Sequence, residues 1–450
     1  MPKAENKRLE ILKETEIDVA NARDRGSVPF VPDRRDAAAD AAADDAAGIA
    51  SRSVTTGSDA GWKVLVYMAA YGVLRPFAER DLFEMCSVEG LPSKGVRVVA
   101  QVHWQEGSVP VPHKVRHGGG NRIRFEDSDA NPSTRTMADD FETFLKRELP
   151  SQQKVPSSQR CLLVLWGHAF AGSWPDVPTQ FGAHGPRGMS LHEIRDVLKK
   201  FTEAPHGRPL DILGFDACDM SSAEVFDELR GVTKVLIGSQ IGVPFSGWPY
   251  DAILESLVAA PAMTRTQVSK MLLKEYHDSY TPPRVTLTML DSRGEKGSDV
   301  RRQLLLSLVK LGEEIGRIRE PEILDIVRDT FQDARRDSAD PLLDLRDFCV
   351  SLQNRLREPS SISKAQKQSV LKVIAAILDW HQAVVKGHER RGPLVSRLHG
   401  IGISPYLITQ SWDRTQLRIY DRVGWRRPAR AVEPDDEPED ELTDEVENTA

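Results

Sequence analysis

Two side chains with reactive chemistry stand where apolar strands end. In "CLLVLWGH", Cys161 to His168, a run of β-forming residues stops at a histidine. In "LDILGFDACDMSSAEVF", Leu210 to Phe226, a similar run delivers Cys218, 50 positions further on. An imidazole accepts a thiol proton near neutral pH, and the thiolate left behind is a strong nucleophile. Together they suit acyl transfer: attack on a carbonyl carbon, then return of the proton to a departing amine. Taken singly, each has an ordinary reading, since a lone cysteine is usually a small apolar filler and a strand-end histidine a satisfied polar group. The pair at matching strand ends is what points to chemistry.

The elements around them must bring those strand ends together. Apolar runs of strand length occur at Lys63 to Tyr71, Val96 to Trp104, Cys161 to His168, Leu210 to Asp216 and Lys234 to Gln240. Helix-like segments separate them: Phe77 to Val88, Arg135 to Glu148, Ser190 to Glu203 and Ser221 to Leu229. This alternation predicts an α/β fold, a mostly parallel sheet covered by helices on both faces. Chemistry in such sheets gathers beyond the carboxyl ends of the strands, where neighbours lie about 4.8 Å apart. A helix opening at Ser221 would aim its positive end at the Cys218 sulfur. "HKVRHGGGNRIRF", His113 to Phe125, reads as a hairpin. Later helices are expected at Thr264 to Ser279, Asp299 to Arg319 and Ser363 to Val385, with strands at Arg284 to Asp291 and Leu398 to Ile408. The domain reading is a mobile amino-terminal arm (1–60), a catalytic core (61–260), a helical and strand-bearing part packed on it (261–425), and a disordered acidic tail (426–450).

Composition narrows the function. The chain has 450 residues and a net charge of −7, but Glu433 to Ala450 alone carries ten acidic residues and no basic one. The body is therefore near neutral, without the basic stripe that nucleic acid requires. No stretch is apolar enough to span a membrane, and the amino terminus lacks a signal-peptide core. Four cysteines, Cys86, Cys161, Cys218 and Cys349, do not make a disulfide framework, so a cytoplasmic location is expected. "HEIRD" at His192 lacks the second histidine of a zinc helix, and no phosphate-binding glycine loop occurs. Neither a metal nor a cofactor is implied by the residues.

The chain resembles the clostripain family of caspase-like cysteine peptidases. The similarity runs from about Trp62 to Trp425, through "WKVLVYMAAYGVL", "DLFEM", "LVLWGH", "LDILGFDACDMSSAEVFDELR", "VLIGSQ", "GWPYDAIL", "LLDLRDF" and "GIGISPYL". It implies a caspase-like three-layer α/β/α sandwich with helical additions on its carboxyl-terminal side. It also implies His168 as general base, Cys218 as nucleophile, and the amides of Cys218 and Ala169 as oxyanion donors. Asp216, two positions before the nucleophile, would line a pocket for arginine or lysine ahead of the scissile bond, where a carboxylate pairs bidentately with guanidinium. Asp219 reads instead as a helix cap.

Two departures bear on that activity. Ala169 replaces the glycine that usually follows the histidine, and Ser246 stands where a second pocket acid is expected. The resemblance further implies a latent enzyme cut between histidine and cysteine. In the loop Ala169 to Ser190 the single arginine is Arg187, which makes it the expected processing site, cut by the enzyme or by an upstream activating protease. Relatives sometimes respond to calcium, but no acidic positions here stand out for it. The resulting expectation is an endopeptidase for proteins with exposed arginine or lysine sites, serving regulated proteolysis in bacterial defence or cell-death signalling. The rival is a catalytically weak caspase-like scaffold.

Overall fold

The first strand, β1 (Gly61–Ala70), feeds two separate cores. Leu65, Tyr67 and Ala69 point into one and Trp62, Val64, Val66 and Met68 into the other, so both faces of the sheet are covered. That is why its sequence is apolar throughout instead of alternating. In the computed structural model, residues 61–403 are described apart from short internal segments, including 128–135, 150–158, 171–179, 182–187, 293–299 and 337–341. The expected amino-terminal arm and acidic tail lie outside the described residues.

After β1 come helix α1 (Arg75–Ser87), strand β2 (Val96–Glu106), the hairpin β3 (Val109–Gly118) and β4 (Arg122–Asp127), α2 (Met137–Glu148) and β5 (Gln159–Gly167). Three two-residue strands, β6 (Ala169–Phe170), β7 (Gln180–Phe181) and β8 (Met189–Ser190), form a small sheet of their own. Then follow α3 (Leu191–Thr202), β9 (Leu210–Asp216), α4 (Ala223–Glu228), β10 (Thr233–Gly238), α5 (Tyr250–Ala259), α6 (Arg265–Ser279) and β11 (Val285–Asp291). The last elements are α7 (Val300–Arg317), α8 (Glu322–Arg336), β12 (Leu343–Asp344), α9 (Leu345–Arg357), α10 (Lys364–Val384), β13 (Val385–Arg391) and β14 (Gly402–Ile403). Helices α2, α3, α6 and α10 start at capping boxes, Thr136 with Asp139, Ser190 with Glu193, Thr264 with Gln267 and Ser363 with Gln366, which fix their first turns.

Nine strands make the main sheet, in the order β13-β11-β10-β9-β5-β1-β2-β3-β4. The five central ones, β10 through β2, are parallel, and antiparallel strands extend both edges. Helices α1, α5 and α6 cover one face; α2, α3, α4 and α7 to α10 supply the core of the other. The expected α/β sandwich and its mostly parallel sheet are thus present. β11 and β13 lie beyond residue 260 and join the same sheet as β1.

Differences from the sequence reading have local causes. The helix expected to reach Val385 ends at Val384, and the polar "VKGHERR" pairs with β11 as an edge strand. Paired on one side and partly exposed, that strand does not need the apolar run that marks a central one. Helices α5, α8 and α9 were not among the expected elements. Of the strand expected at Leu398 to Ile408, only β14 is extended among the described residues, and it pairs with β12.

One glycine shows how closely the layers meet. A Cβ at Gly214 in β9 would lie 2.5 Å from Cη2 of Trp248, whose ring is buried. Gly214→Ala is expected to lower stability by about 1–3 kcal/mol through overpacking. Urea denaturation would read this loss, and an unchanged midpoint would refute the contact.

Candidate functional site

The pairing of β5 with β9 sets the site. Trp166 stands opposite Asp216 in this parallel register. His168 is two residues past Trp166 and Cys218 two residues past Asp216, so both leave adjacent strands at the same level. Gly167, between Trp166 and His168, has φ +149°, and a Cβ there would lie 3.1 Å from the Ala69 carbonyl oxygen. Both candidate residues are half-buried. Burial pushes Cys86 and Cys161 up to about 12 and raises Cys349 as well, which keeps them as thiols.

Past Asp216 the chain turns sharply. Asp219 adopts φ 61°, the single non-glycine residue with positive φ among those described, and its amide donates to the Ile241 carbonyl at 3.2 Å. Such backbone is uncommon outside glycine and clusters at working sites. Asp219 is not the expected helix cap: Ser222 caps α4, its hydroxyl accepting from the amide of Val225. Helix α4 starts at Ala223 and has six residues, and the sulfur has a backbone donor that lies outside it. That donor is the amide of Val243, 3.3 Å from the Cys218 Sγ.

Asp216 is buried beneath this turn. Its Oδ2 accepts from the Trp248 amide at 2.9 Å and from the Tyr250 hydroxyl at 3.1 Å. Its Oδ1 has no hydrogen-bond donor among the described residues. Burial pushes the carboxyl up to about 7, against the pull of those two donors. Asp81, from α1, is a close companion that the sequence reading did not single out. Its Oδ2 accepts from Trp166 Nε1 at 2.7 Å, and its Oδ1 lies 3.5 Å from Arg80 Nη2. A Cβ on Gly247, at φ 59°, would be 2.8 Å from Asp216 Oδ2 and 3.2 Å from Asp81 Oδ2. Only glycine fits between the two carboxylates. Burial first, and the charge of Asp216 second, raise the Asp81 carboxyl well above its usual range.

Ser246, where a second acid is expected, works through neutral groups. Its carbonyl accepts from Arg80 Nη2 at 2.6 Å and its hydroxyl is 3.0 Å from Tyr280 Oη. The nearby acid comes from α1 instead, a position no spacing within the strand-end motifs could reveal. Ala169, which replaces the usual glycine after the histidine, is buried and opens β6 in an extended pairing opposite Phe181. Arg187 lies outside the described residues. Among the described residues no three His, Cys, Asp or Glu side chains gather as metal ligands.

A covered parallel sheet with a thiol and an imidazole at neighbouring carboxyl ends is the architecture of a caspase-like cysteine peptidase. The clostripain family's sequence profile matches residues 66–388, and the chain belongs to that family of cysteine peptidases. Among solved structures it is similar to an inactive zymogen C11 protease from Parabacteroides distasonis, at 17% identity and a TM-score of 0.55, covering 82% of this chain and 99% of that one. It is also similar to a secreted C11 cysteine protease from Bacteroides thetaiotaomicron bound to an irreversible peptide inhibitor, at 16% identity and a TM-score of 0.52, covering 81% and 99%. At these identities the likeness establishes the fold. No protein of curated function matches the chain.

The hydrogen bond from Tyr250 stabilises ionised Asp216. Tyr250→Phe is therefore expected to raise the Asp216 titration above its present value of about 7, by about one pH unit, the worth of one bond to a charged group. Carboxyl-carbon NMR across the pH range would follow it, and a downward move would contradict the assignment.

Proposed function

We propose that this protein is an endopeptidase cutting after arginine or lysine, with Cys218 as nucleophile and His168 as general base. The observation that carries this reading is that His168 and Cys218 each follow, by two residues, the opposed pair Trp166 and Asp216 that ends the pairing of β5 with β9, with Asp216 buried before the sulfur. His168 takes the Cys218 proton as the sulfur attacks the scissile carbonyl carbon. The carbonyl oxygen becomes an oxyanion, facing the amides of Cys218 and Ala169. As the tetrahedral intermediate collapses, the C–N bond breaks and His168 gives its proton to the leaving amine. Water, deprotonated by His168, then hydrolyses the thioester and regenerates the thiol.

Asp216 supplies selectivity on this reading. A guanidinium or ammonium brought against its Oδ1 meets a carboxylate in a dry setting and pulls its proton off. An acidic side chain would leave two like charges in a low dielectric, which costs several kcal/mol. Substrates are accordingly proteins with exposed arginine or lysine. We further propose that the chain is made latent and matures by cleavage after Arg187. The similar structure described as an inactive zymogen favours that reading.

Fluorogenic peptides test these proposals. Wild type is expected to prefer arginine over its uncharged analogue citrulline by about 100-fold or more, and Asp216→Asn to lose most of that ratio, as loss of a buried charge pair implies. Because Asp216 ionises only above about 7, the preference should grow as pH rises through that value; taking the ratio of two substrates cancels the titration of the dyad. Cys218→Ala should abolish turnover. Equal rates for Cys218→Ala and wild type would leave the scaffold reading standing. A fully active sample whose chain is unbroken at Arg187 by intact mass would end the maturation proposal.

A further inference from the structure

We propose that the backbone N–H of Val243 stabilises the Cys218 thiolate, and that Gln240, held by Asp344 of the carboxyl-terminal part, is the positioning residue for that donor. The proposal rests on Cys218 being the nucleophile. Val243 follows β10 in a loop whose sequence, "SQIGVPFSGW", contains no charged side chain. Its amide points at the sulfur across 3.3 Å, while its own carbonyl lies farther off, at 4.0 Å. An N–H favours the thiolate; a carbonyl accepts only from the thiol. The shorter contact belongs to the donor, so the loop as built favours the reactive form.

The loop cannot drift, because it is tied on both sides. Toward the nucleophile, Asp219 N donates to Ile241 O at 3.2 Å and Ser221 N to Ser239 O at 2.8 Å, which joins the Cys218 turn to the Val243 loop. Within the loop, Gln240 N donates to Thr286 Oγ1 at 3.1 Å and Ile241 N to Ser239 Oγ at 3.2 Å. Away from the nucleophile, Gln240 is buried and spends both ends of its amide. Its Nε2 donates to Asp344 Oδ2 at 3.0 Å and its Oε1 accepts from Gly400 N at 2.6 Å.

Asp344 and the segment around Gly400 complete the anchor. Asp344 caps α9, accepting from Asp347 N at 2.7 Å on Oδ1 and from His399 N at 2.6 Å on Oδ2. Ser221 Oγ donates to Gly400 O at 2.6 Å, and Gly402 N donates to Ser221 O at 2.8 Å. The residues just after Cys218 and those just before Val243 are therefore pinned to the same short segment. A mispositioned sulfur or amide would break several buried hydrogen bonds at once, each costly to leave unmade. This gives the region beyond residue 260 a direct part in the geometry of the nucleophile.

The test reads the thiolate directly. Full-length protein is treated with iodoacetamide across a pH series, and labelling of the Cys218 peptide is followed by mass spectrometry, so that Cys86, Cys161 and Cys349 do not interfere. Val243→Pro removes the donor. Val243 precedes Pro244, so its backbone is already biased to the extended region that proline tolerates. Half-maximal labelling is expected to move up by about one pH unit, equivalent to about tenfold slower labelling below it. Gln240→Ala, which leaves the amide in place but frees the loop, is expected to move it in the same direction with the melting temperature within a few degrees of wild type. An unmoved midpoint in Val243→Pro overturns the proposal. Should that variant not fold, Gln240→Ala decides: an unmoved midpoint overturns it and an upward move supports it. Because alkylation requires no turnover, it stands apart from the peptide assay. Failure of Cys218→Ala to lose activity would sink the proposed function, whereas an unmoved midpoint sinks only the role of Val243.

Discussion

The register of β5 against β9 is the constraint on which the site depends. Side chains alternate along a strand, so a slip of one residue would turn His168 or Asp216 to the opposite face and separate groups that now stand level. Two features oppose such a slip. Both strands are buried on both faces, so a shifted register would mispack two cores together. At their opposite ends, buried Asp211 accepts from Cys161 N on β5 at 3.0 Å and pairs with Lys234 Nζ on β10 at 3.0 Å. One carboxylate thus pins three neighbouring strands before they run up to the site, and the chemistry at the top inherits its alignment from packing and charge at the bottom.

The second jaw of the site is the segment from Ser239 to Tyr250. It supplies the amide at the sulfur, the glycine between Asp81 and Asp216, and both donors to Asp216. Three of these are backbone features, and the fourth is a tyrosine hydroxyl that stays protonated because burial raises it well above its usual range. A loop of this kind holds charges without contributing any. That resolves the apparent defect of a segment lacking an acid: the companion carboxylate arrives from α1, which covers the same face of the sheet as Trp248 and Tyr250.

Much of this organisation is legible in the amino-acid order because it is local or periodic. Central strands announce themselves as unbroken apolar runs, capped helices by Ser or Thr three residues before an acid or amide, and the hairpin by its glycines. His168, Cys218 and Asp216 are visible because they interrupt a strand pattern with polar chemistry. Other features are hidden for physical reasons. β13 is an edge strand and needs no apolar face. Asp81 looks like an ordinary helix acid until the fold sets it against Trp166 and Gly247. Val243 acts through its amide, which every residue but proline possesses. Gln240 and Asp344 are 104 positions apart and meet only when the carboxyl-terminal part packs on the core.

On the proposed reading, the charge of Asp216 is conditional on a guest. An isolated buried carboxylate resists ionisation, and the neighbouring Glu84 charge adds to that resistance, while Trp248, Tyr250 and Arg80 favour the charged form. Burial prevails over the donors and leaves the carboxyl at about 7. A fully satisfied carboxylate would have little to gain from a cationic side chain, and an unrelieved one would carry a standing cost in the empty protein. On the proposed reading, an arriving guanidinium tips a carboxyl poised near neutral pH to its ionised form and gains the interaction only when bound. On the proposed reading, discrimination against acidic and neutral side chains then follows from the same burial that raises the acid, since neither of them can supply the charge that compensates for it.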